Sequence, residues 1–263
     1  MPELPEVEVS KRYLEETSLH QPVARVHIGA TSLLDGISPQ ALARRLHHRP
    51  LERTHRHGKY LFAEVDHGGW LMLHFGMTGH LRYGRTPDPA AANAEAVFFF
   101  DNGRYLAHVD PRKLGHIGWV DDPRRMVRDR ALGPDALRLD LDRFCCLAQG
   151  RHGQVKPWLM NQEVMAGIGN VYSDEILFQA RLRPDARVDR LSDRDLSDLF
   201  EAMQGVLETA IDVEANPCAF PGTYLLPHRR RGGRCPRCDT PLQRWFFSGR
   251  GAWLCPRCQR RTR

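Results

Sequence analysis

Apolar and polar residues alternate along the first half of the chain, and turn-forming residues separate the alternating runs. Such alternation predicts strands with one buried face. Six runs have this pattern, at residues 22–28, 59–65, 69–75, 96–100, 104–109 and 116–120. Asp, Asn and Gly residues at 66–69 and 101–103 predict hairpin turns between neighbouring strands. Many strands and little helix predict a β-sandwich or barrel-like first domain.

Helical spacing dominates the rest of the chain. Apolar residues recur every three or four positions from about Pro134, which predicts helices at 140–149, 156–160, 173–182 and 192–214. In the first half, helices are predicted from the start to about Thr17 and from Pro39 to Leu46, and the proline-rich 86–89 segment predicts a mobile loop. The fold class is therefore α+β and multidomain, with domains at 1–133, 134–226 and 227–263.

Charge is unevenly distributed along the 263 residues. The net charge is +6, yet residues 228–263 hold eleven arginines against the single acidic residue Asp239. A concentrated basic end predicts binding to a polyanion, because phosphate contacts release counterions. The sequence has no apolar run of membrane-spanning length and no signal peptide at its start. We therefore expect a cytoplasmic protein with no membrane partner.

Four cysteines in the basic end have the spacing of a metal site. Cys235, Cys238, Cys255 and Cys258 form C-x2-C-x16-C-x2-C, which predicts one structural zinc ion with four thiolate ligands. Two disulfides and a redox-active cysteine pair are the alternatives, and a cytosolic setting disfavours the disulfides. The residues between the two pairs predict a hairpin that turns at its glycines, with Arg250 near the turn. Three other cysteines remain, and Cys145 and Cys146 are expected to pack on a helix while Cys218 has no predicted role.

The chain begins Met1-Pro2-Glu3, and removal of Met1 would leave a secondary amine beside a carboxylate. An α-amino group has a pKa of about 7.7–8.0, so part of it is neutral and nucleophilic near neutral pH. Such an amine forms iminium intermediates. The alternative is a plain helix start, which proline and acidic residues also favour. The Gly167-Ile168-Gly169-Asn170 turn likewise predicts either an anion site at a helix start or an ordinary tight turn.

Seven motifs, taken in order, resemble the formamidopyrimidine-DNA glycosylase/endonuclease VIII family, and its formamidopyrimidine branch in particular. The resemblance covers nearly the whole chain. The motifs are residues 2–6, 58–60, 74–79, 110–115, 156–160, 167–172 and the four-cysteine finger. The resemblance implies an N-terminal β-sandwich with an amino-terminal helix, a helix-two-turn-helix domain and a zinc-finger hairpin, with DNA bound between the lobes.

The family resemblance also implies an activity and its residues. The enzyme would remove an oxidised base and then nick the DNA strand at the abasic site. Pro2 would attack the sugar C1′ and form a Schiff base, and Glu3 would move protons around the opening sugar. Lys59 would assist elimination of the first phosphate, and Arg250 would bind phosphate and assist the second elimination.

Further residues match the family's DNA contacts. DNA-binding positions fall on His74, Arg112, Arg151, Lys156, Asn170 and Arg250. Of these, His74, Lys156, Asn170 and Arg250 correspond to contacts with the DNA backbone, and Arg151 lies where the family is basic. Met77, Arg112 and Leu114 match the wedge that fills the gap left by an everted nucleotide, which a glycosylase needs in order to reach the sugar. The implied partner is damaged double-stranded DNA, bound by a monomer that associates with the nucleoid.

Several positions depart from the family pattern. Leu114 replaces the usual phenylalanine, residues 93–95 lack the usual histidines, and Arg250 is followed by Gly251-Ala252-Trp253 where the family prefers hydroxyl residues. The 215–234 connection is short for a loop that closes over 8-oxoguanine. The lesion could therefore be a formamidopyrimidine or 8-oxoguanine, an oxidised pyrimidine or a hydantoin. Two alternatives are a non-catalytic protein that binds damaged or abasic DNA and, from the basic tail alone, an RNA-binding zinc ribbon.

Overall fold

The chain folds into two compact units. A computed structural model describes residues 2–85, 94–247 and 249–260. One unit holds Pro2 and Glu6–Ala131, and the other holds Glu3–Pro5 and Leu132–Arg263. Met1 and the predicted loop at 86–89 lie outside the described residues, as does Asn93. No helix within the described ranges is long and apolar enough to cross a lipid bilayer.

The described part of the first unit contains two sheets and three α-helices, the first of which begins with two residues, Leu4 and Pro5, of the other unit. The four-stranded sheet has the order β1-β7-β8-β6, and the five-stranded sheet has the order β2-β9-β5-β4-β3. The strands are β1 (Val23–Ile28), β2 (Leu34–Asp35), β3 (Leu51–His57), β4 (Tyr60–Val65), β5 (Trp70–His74), β6 (His80–Arg85), β7 (Ala96–Phe100), β8 (Arg104–Val109) and β9 (His116–Val120); the helices are α1 (Leu4–Ser18), α2 (Pro39–Leu46) and α3 (Pro123–Asp129).

Side chains from both sheets share one core. Phe98 of the smaller sheet and Leu61 and Leu73 of the larger sheet lie in the same buried cluster. Val7 and Leu14 of α1 join that cluster, so the helix covers part of the sandwich. The predicted β-sandwich with an amino-terminal helix is confirmed.

The six predicted strands are confirmed, with ends that differ by at most one residue, and both predicted hairpins are present. The strands β2, β3 and β6 and the helix α3 were not predicted. Polar composition explains the omission of β3, since its sequence is Leu-Glu-Arg-Thr-His-Arg-His and only Leu51 and Arg56 are buried. The buried Arg56 occupies a position where the alternation of apolar and polar residues predicts an apolar side chain.

The second unit is helical and carries a terminal hairpin. Its helices are α4 (Leu141–Ala148), α5 (Val155–Met160), α6 (Asn170–Gln179) and α7 (Asp193–Asp212), and its strands are β10 (Gln243–Phe247) and β11 (Arg250–Leu254). The core of this unit includes Leu4 together with Tyr172 and Ile176 of α6 and Leu199 of α7. The four predicted helices are confirmed, and α6 begins and ends three residues earlier than predicted.

The terminal hairpin packs on α6. Phe178 of α6 shares a buried cluster with Leu225, Cys235 and Cys255. Arg237 donates from Nη1 to the Phe178 carbonyl oxygen at 2.8 Å, and its guanidinium lies 4.2 Å from the centre of the Phe178 ring. These contacts hold the cysteine-rich end of the chain against the helix.

Candidate active site

The Glu3 carboxylate lies at the N-terminus of α6 and is fully buried. Its Oε2 accepts from the backbone N–H of Gly169 at 2.6 Å and of Tyr172 at 3.3 Å, and its Oε1 accepts from Val171 N–H at 2.8 Å. The first N–H groups of a helix lack intrahelical partners, and the helix dipole favours a negative charge there. The anion at this helix start is thus the chain's own carboxylate.

The two glycines of the turn make room for the chain's first residues. A Cβ at Gly169 would lie 2.4 Å from Glu3 Cδ, and a Cβ at Gly167 would lie 2.6 Å from Leu4 Cδ1. Gly167 also has a φ of +120°, which side-chain-bearing residues rarely adopt. Its carbonyl oxygen accepts from Leu4 N–H at 3.0 Å. Both glycines therefore fix the position of the residue that follows Pro2.

Lys156 is buried beside the same helix start, with 1% of its side chain exposed. Its Nζ donates to Asp174 Oδ1 at 2.6 Å, to Ser173 Oγ at 2.9 Å and to the Asn170 carbonyl oxygen at 3.2 Å. Burial lowers the pKa of Lys156, and the Asp174 carboxylate opposes that shift. The observed contacts of this amine are internal, and its predicted contact with DNA stays a prediction.

Asp174 connects α6 to the terminal hairpin. Its Oδ2 accepts from Trp253 N–H of β11 at 3.0 Å and from Arg229 Nε at 2.9 Å, and its side chain is fully buried. One carboxylate thus joins Lys156, the helix start and the hairpin. Asn170, the first residue of α6, has a buried Oδ1 without a hydrogen-bond partner among the described residues.

Lys59 lies in the two-residue turn between β3 and β4 and is half-buried. Arg56 supports this turn, because its Nη1 donates to the Gly58 carbonyl oxygen at 3.2 Å and its Nε donates to Glu8 Oε2 of α1 at 2.7 Å. Burial raises the pKa of Glu8, but the Arg56 and Lys11 cations outweigh it and hold the pKa below its ordinary value. This ion pair between the buried Arg56 and the partly buried Glu8 therefore fixes the Lys59 turn relative to α1.

His74 ends β5 and is a neutral hydrogen-bond donor near pH 7. Burial is the main cause that lowers its pKa to about 4, and the charges of His116, Lys59 and Arg130 act in the same direction. Its Nδ1 accepts from Gly76 N–H at 3.3 Å, so the ring proton lies on Nε2. That N–H could donate to a phosphate oxygen without any charge on the imidazole.

The three predicted wedge residues lie in two turns of the first unit. Met77 follows β5, and Arg112 and Leu114 lie between β8 and β9. Met77 is 41% exposed and Leu114 is 44% exposed, although both side chains are large and apolar. The turns touch, since a Cβ at Gly76 would lie 2.4 Å from the Leu114 carbonyl carbon. The fold thus brings the predicted wedge residues onto adjoining turns.

The four predicted zinc ligands converge. Their Sγ atoms all lie within 4.8 Å of one another, with 3.7 Å between Cys235 and Cys258 and 3.5 Å between Cys238 and Cys255. Zn–S bonds of about 2.3 Å in a tetrahedron place sulfurs about 3.8 Å apart, so the donor set fits one zinc ion. Four thiolates leave no open position, which makes the site structural.

Arg250 is exposed at the start of β11, and Ser248 lies outside the described residues.

Three family models match the chain in order. They describe the formamidopyrimidine-DNA glycosylase N-terminal domain at residues 1–117, the H2TH domain of the same enzymes at 132–220 and the zinc finger found in FPG and IleRS at 232–261. A formamidopyrimidine-DNA glycosylase of Herpetosiphon aurantiacus is 34% identical over 272 residues, which cover 98% of this chain and 100% of that protein. The chain belongs to the formamidopyrimidine-DNA glycosylase family.

Other members support the assignment. The formamidopyrimidine-DNA glycosylase of Solibacter usitatus is 33% identical and covers 99% of this chain and 100% of its own length. The crystal structure of Lactococcus lactis Fpg with DNA that contains an abasic site matches with a TM-score of 0.88 at 25% identity, over 98% of this chain and 100% of that one. MutM in complex with DNA that contains carbocyclic 8-oxo-G matches with a TM-score of 0.88 at 25% identity, over 99% of this chain and 100% of that one.

Sequence reasoning missed three charged residues that support the predicted site. Arg56 supports the Lys59 turn, Asp174 joins α6 to the hairpin, and Asp110 bonds to both wedge turns. A signal existed for Asp174, because it and Glu175 stand in a helix whose other residues are mostly apolar. Because such a helix is buried on most of its faces, a charged side chain on it needs a partner inside the protein.

Arg151, which is predicted to contact DNA, is exposed just after α4.

Proposed function

We propose that this protein removes oxidised bases from duplex DNA and cleaves the resulting abasic strand through a Schiff base on Pro2. As a member of its family, the protein is a DNA glycosylase of base-excision repair. The observation that carries the proposed mechanism is the Glu3 carboxylate, which three backbone N–H groups hold in place directly after Pro2. A fixed proton carrier beside the amine is what the chemistry requires.

The reaction starts at the Pro2 nitrogen once Met1 has been removed. Its lone pair forms a bond to the sugar C1′, and the damaged base leaves with the electron pair of the glycosidic bond and takes up the proton that the Pro2 nitrogen gives up. Glu3 then protonates the ring oxygen O4′ as the sugar opens, and the C1′–N bond becomes an iminium. The positive nitrogen draws electrons toward itself, so that C2′ gives up a proton to the Glu3 carboxylate and the 3′ phosphate leaves with the electron pair of the C3′–O bond.

Two cationic side chains would assist the elimination of the phosphates. Lys59, in the turn supported by Arg56, would neutralise the departing 3′ phosphate. Arg250, exposed at the hairpin tip, would bind the second phosphate and assist its elimination. Hydrolysis of the iminium then frees Pro2 for another cycle. Such cation–phosphate contacts stabilise charge that develops in the transition state.

DNA binding would rest on contacts with the sugar-phosphate backbone. We propose that His74, Arg112, Arg151, Lys156, Asn170 and Arg250 contribute to the site, and that a monomer binds one damaged duplex. Backbone contacts fix position without reading sequence, which suits an enzyme that finds damage at any site. Met77, Arg112 and Leu114 would fill the space left by the everted nucleotide.

Borohydride trapping tests the mechanism. Protein whose first residue is shown by mass spectrometry to be Pro2 should form a covalent adduct with abasic and oxidised-base duplexes, and peptide mapping should locate the adduct on Pro2. Duplexes that carry 8-oxoguanine, formamidopyrimidine, oxidised pyrimidine or hydantoin lesions rank the substrates by single-turnover rate. Tight binding to abasic DNA without any adduct or nick would instead identify a non-catalytic damage-binding protein.

A further inference from the structure

Asp110 makes hydrogen bonds to both of the turns that carry the wedge residues. Its side chain is fully buried. Oδ1 accepts from Thr78 Oγ1 at 2.7 Å, and Oδ2 accepts from Leu114 N–H at 2.8 Å and from Gly115 N–H at 2.6 Å. Thr78 directly follows Met77, and Leu114 is itself a wedge residue. One carboxylate therefore bridges the turn after β5 and the turn before β9.

The backbones of the two turns are in direct contact around this carboxylate. A Cβ at Gly76 would lie 2.4 Å from the Leu114 carbonyl carbon, and a Cβ at Gly115 would lie 2.6 Å from the His74 carbonyl oxygen. Interior positions packed this closely cannot shift independently. A change in one turn is thus transmitted to the other.

Neighbouring groups fix Asp110 itself. Its backbone N–H donates to Glu95 Oε2 at 2.6 Å, and its carbonyl oxygen accepts from Lys113 N–H at 2.8 Å. Lys113 has a φ of +52°, so the chain reverses there and leaves Leu114 exposed. Burial raises the pKa of Asp110, but the hydrogen bonds from Thr78 and the two N–H groups hold it below its ordinary value.

We propose that Asp110 is a positioning residue that holds Met77 and Leu114 together as one wedge and thereby promotes base eversion. The inference rests on the proposed function. Unstacking a base costs a few kcal/mol, and a wedge offsets that cost only if both side chains occupy the gap at once. Without the carboxylate, each turn would sample other positions, and fewer encounters would leave the damaged base outside the helix.

The test compares Asp110→Ala with Asp110→Asn. The alanine variant should lower the single-turnover rate of excision from a paired lesion by about tenfold, the size of a lost buried hydrogen bond. It should change nicking of a preformed abasic site by less than about twofold, since no base has to be everted there. The asparagine variant should restore excision, because its Oδ1 can accept from the two N–H groups while Nδ2 donates to Thr78 Oγ1. A 2-aminopurine beside the lesion should report less unstacking with the alanine variant.

A double-mutant comparison separates positioning from a general structural role. In a Met77→Ala/Leu114→Ala background, Asp110→Ala should have little further effect, because neither of the two wedge side chains that Asp110 positions remains. An equal loss in that background, or an equal loss on abasic DNA, would overturn the proposal. Asp122→Ala, which removes the cap of α3, is the matched control and should leave both rates unchanged. If Asp110→Ala does not fold, Thr78→Val removes one of the three bonds and takes its place.

Failure of the broader mechanism would be visible in the same experiment. If the unaltered protein neither excises bases nor nicks abasic DNA, the proposed function fails. If the unaltered protein does both and Asp110→Ala matches it on every substrate, only the role of Asp110 fails.

Discussion

Glu3 and Gly169 depend on each other at the start of α6. The glycine has a φ of −130°, which any residue adopts, so conformational freedom does not explain it. Lack of space explains why position 169 is a glycine, because a Cβ there would lie 2.4 Å from Glu3 Cδ. The sequence predicted an anion near this turn or a plain tight turn, and it could not show that residue 3 supplies the anion. That contact spans 166 positions of the chain, beyond the reach of any local pattern.

Replacement of Gly169 should therefore impair catalysis more than folding. We expect Gly169→Ala to displace the Glu3 carboxylate and lower excision and borohydride trapping by about 100-fold, the effect of a shift of about 1 Å in a catalytic group. Gly205→Ala is the matched control, because a Cβ there would meet nothing within 4 Å and alanine favours the interior of α7. Single-turnover rates and urea midpoints measure the two effects. Equal rates for the two variants would contradict the assigned role of Gly169.

The strands of the sandwich show where the alternation of apolar and polar residues predicts a strand and where it does not. It located the six strands whose buried positions are mostly apolar, and it missed β3 and β6, whose positions are mostly polar. In β3, Arg56 is buried because Glu8 of α1 accepts its hydrogen bond at 2.7 Å. A strand of this kind depends on a partner from another element. The sequence predicted the strands whose burial is apolar, and it missed β3, where the buried side chain is a charged one held by an ion pair.

Two strands also carry histidines that should make the sandwich sensitive to acid. His108 of β8 is fully buried, its ring stacks 5.6 Å from that of Phe75, and neither ring nitrogen has a hydrogen-bond partner among the described residues. Burial is the main cause that lowers its pKa to about 4, although the charges of Asp110 and Glu95 oppose it and His80 adds to it. His74 of β5 has its pKa lowered to the same value.

The sign of the pH effect follows from these shifts. Because the folded-state pKa lies below the ordinary 6.5, the unfolded chain binds more protons between pH 6.5 and 4. Stability should be complete above about pH 6.5 and fall as the pH drops toward 4. Between pH 6.5 and 4, the free energy of unfolding of the His108→Leu variant should fall less than that of the unaltered protein, by up to about 3 kcal/mol. Urea unfolding at several pH values measures this difference. His27→Leu, at an exposed position of β1, is the control, and identical pH slopes for both variants would refute the role of His108.

On the scale of the whole molecule, the order of motifs predicted the family, the β-sandwich and the helix-two-turn-helix domain. The motifs identify single residues, but they do not show which other residues those residues contact. Lys156 belongs to such a motif, yet its amine lies in a buried network with Asp174. The basic end likewise predicted a polyanion partner, and it did not indicate that the hairpin packs on α6 through Phe178. Charge and motif order therefore predicted function class better than they predicted internal contacts.

The zinc site should control DNA binding without controlling the sandwich. Metal binding supplies folding free energy to small cysteine-ligated modules, so loss of zinc should unfold the hairpin that presents Arg250. It should also remove the Trp253 N–H from Asp174, next to Lys156. Among the described residues, the core of the first unit contains none from the hairpin, and this core should remain folded.

Cys238→Ser, or treatment with a chelator, should therefore abolish binding to an abasic-site duplex while thermal unfolding of the β-rich unit is retained. Fluorescence anisotropy measures the first effect and circular dichroism the second. Cys218→Ser is the matched control, since Cys218 is exposed and lies outside the four-cysteine cluster. Retained strand nicking after elemental analysis has verified the loss of zinc would show that the hairpin is dispensable. The expected loss instead follows from one fact of the fold, namely that the hairpin and the start of α6 share the Asp174 carboxylate.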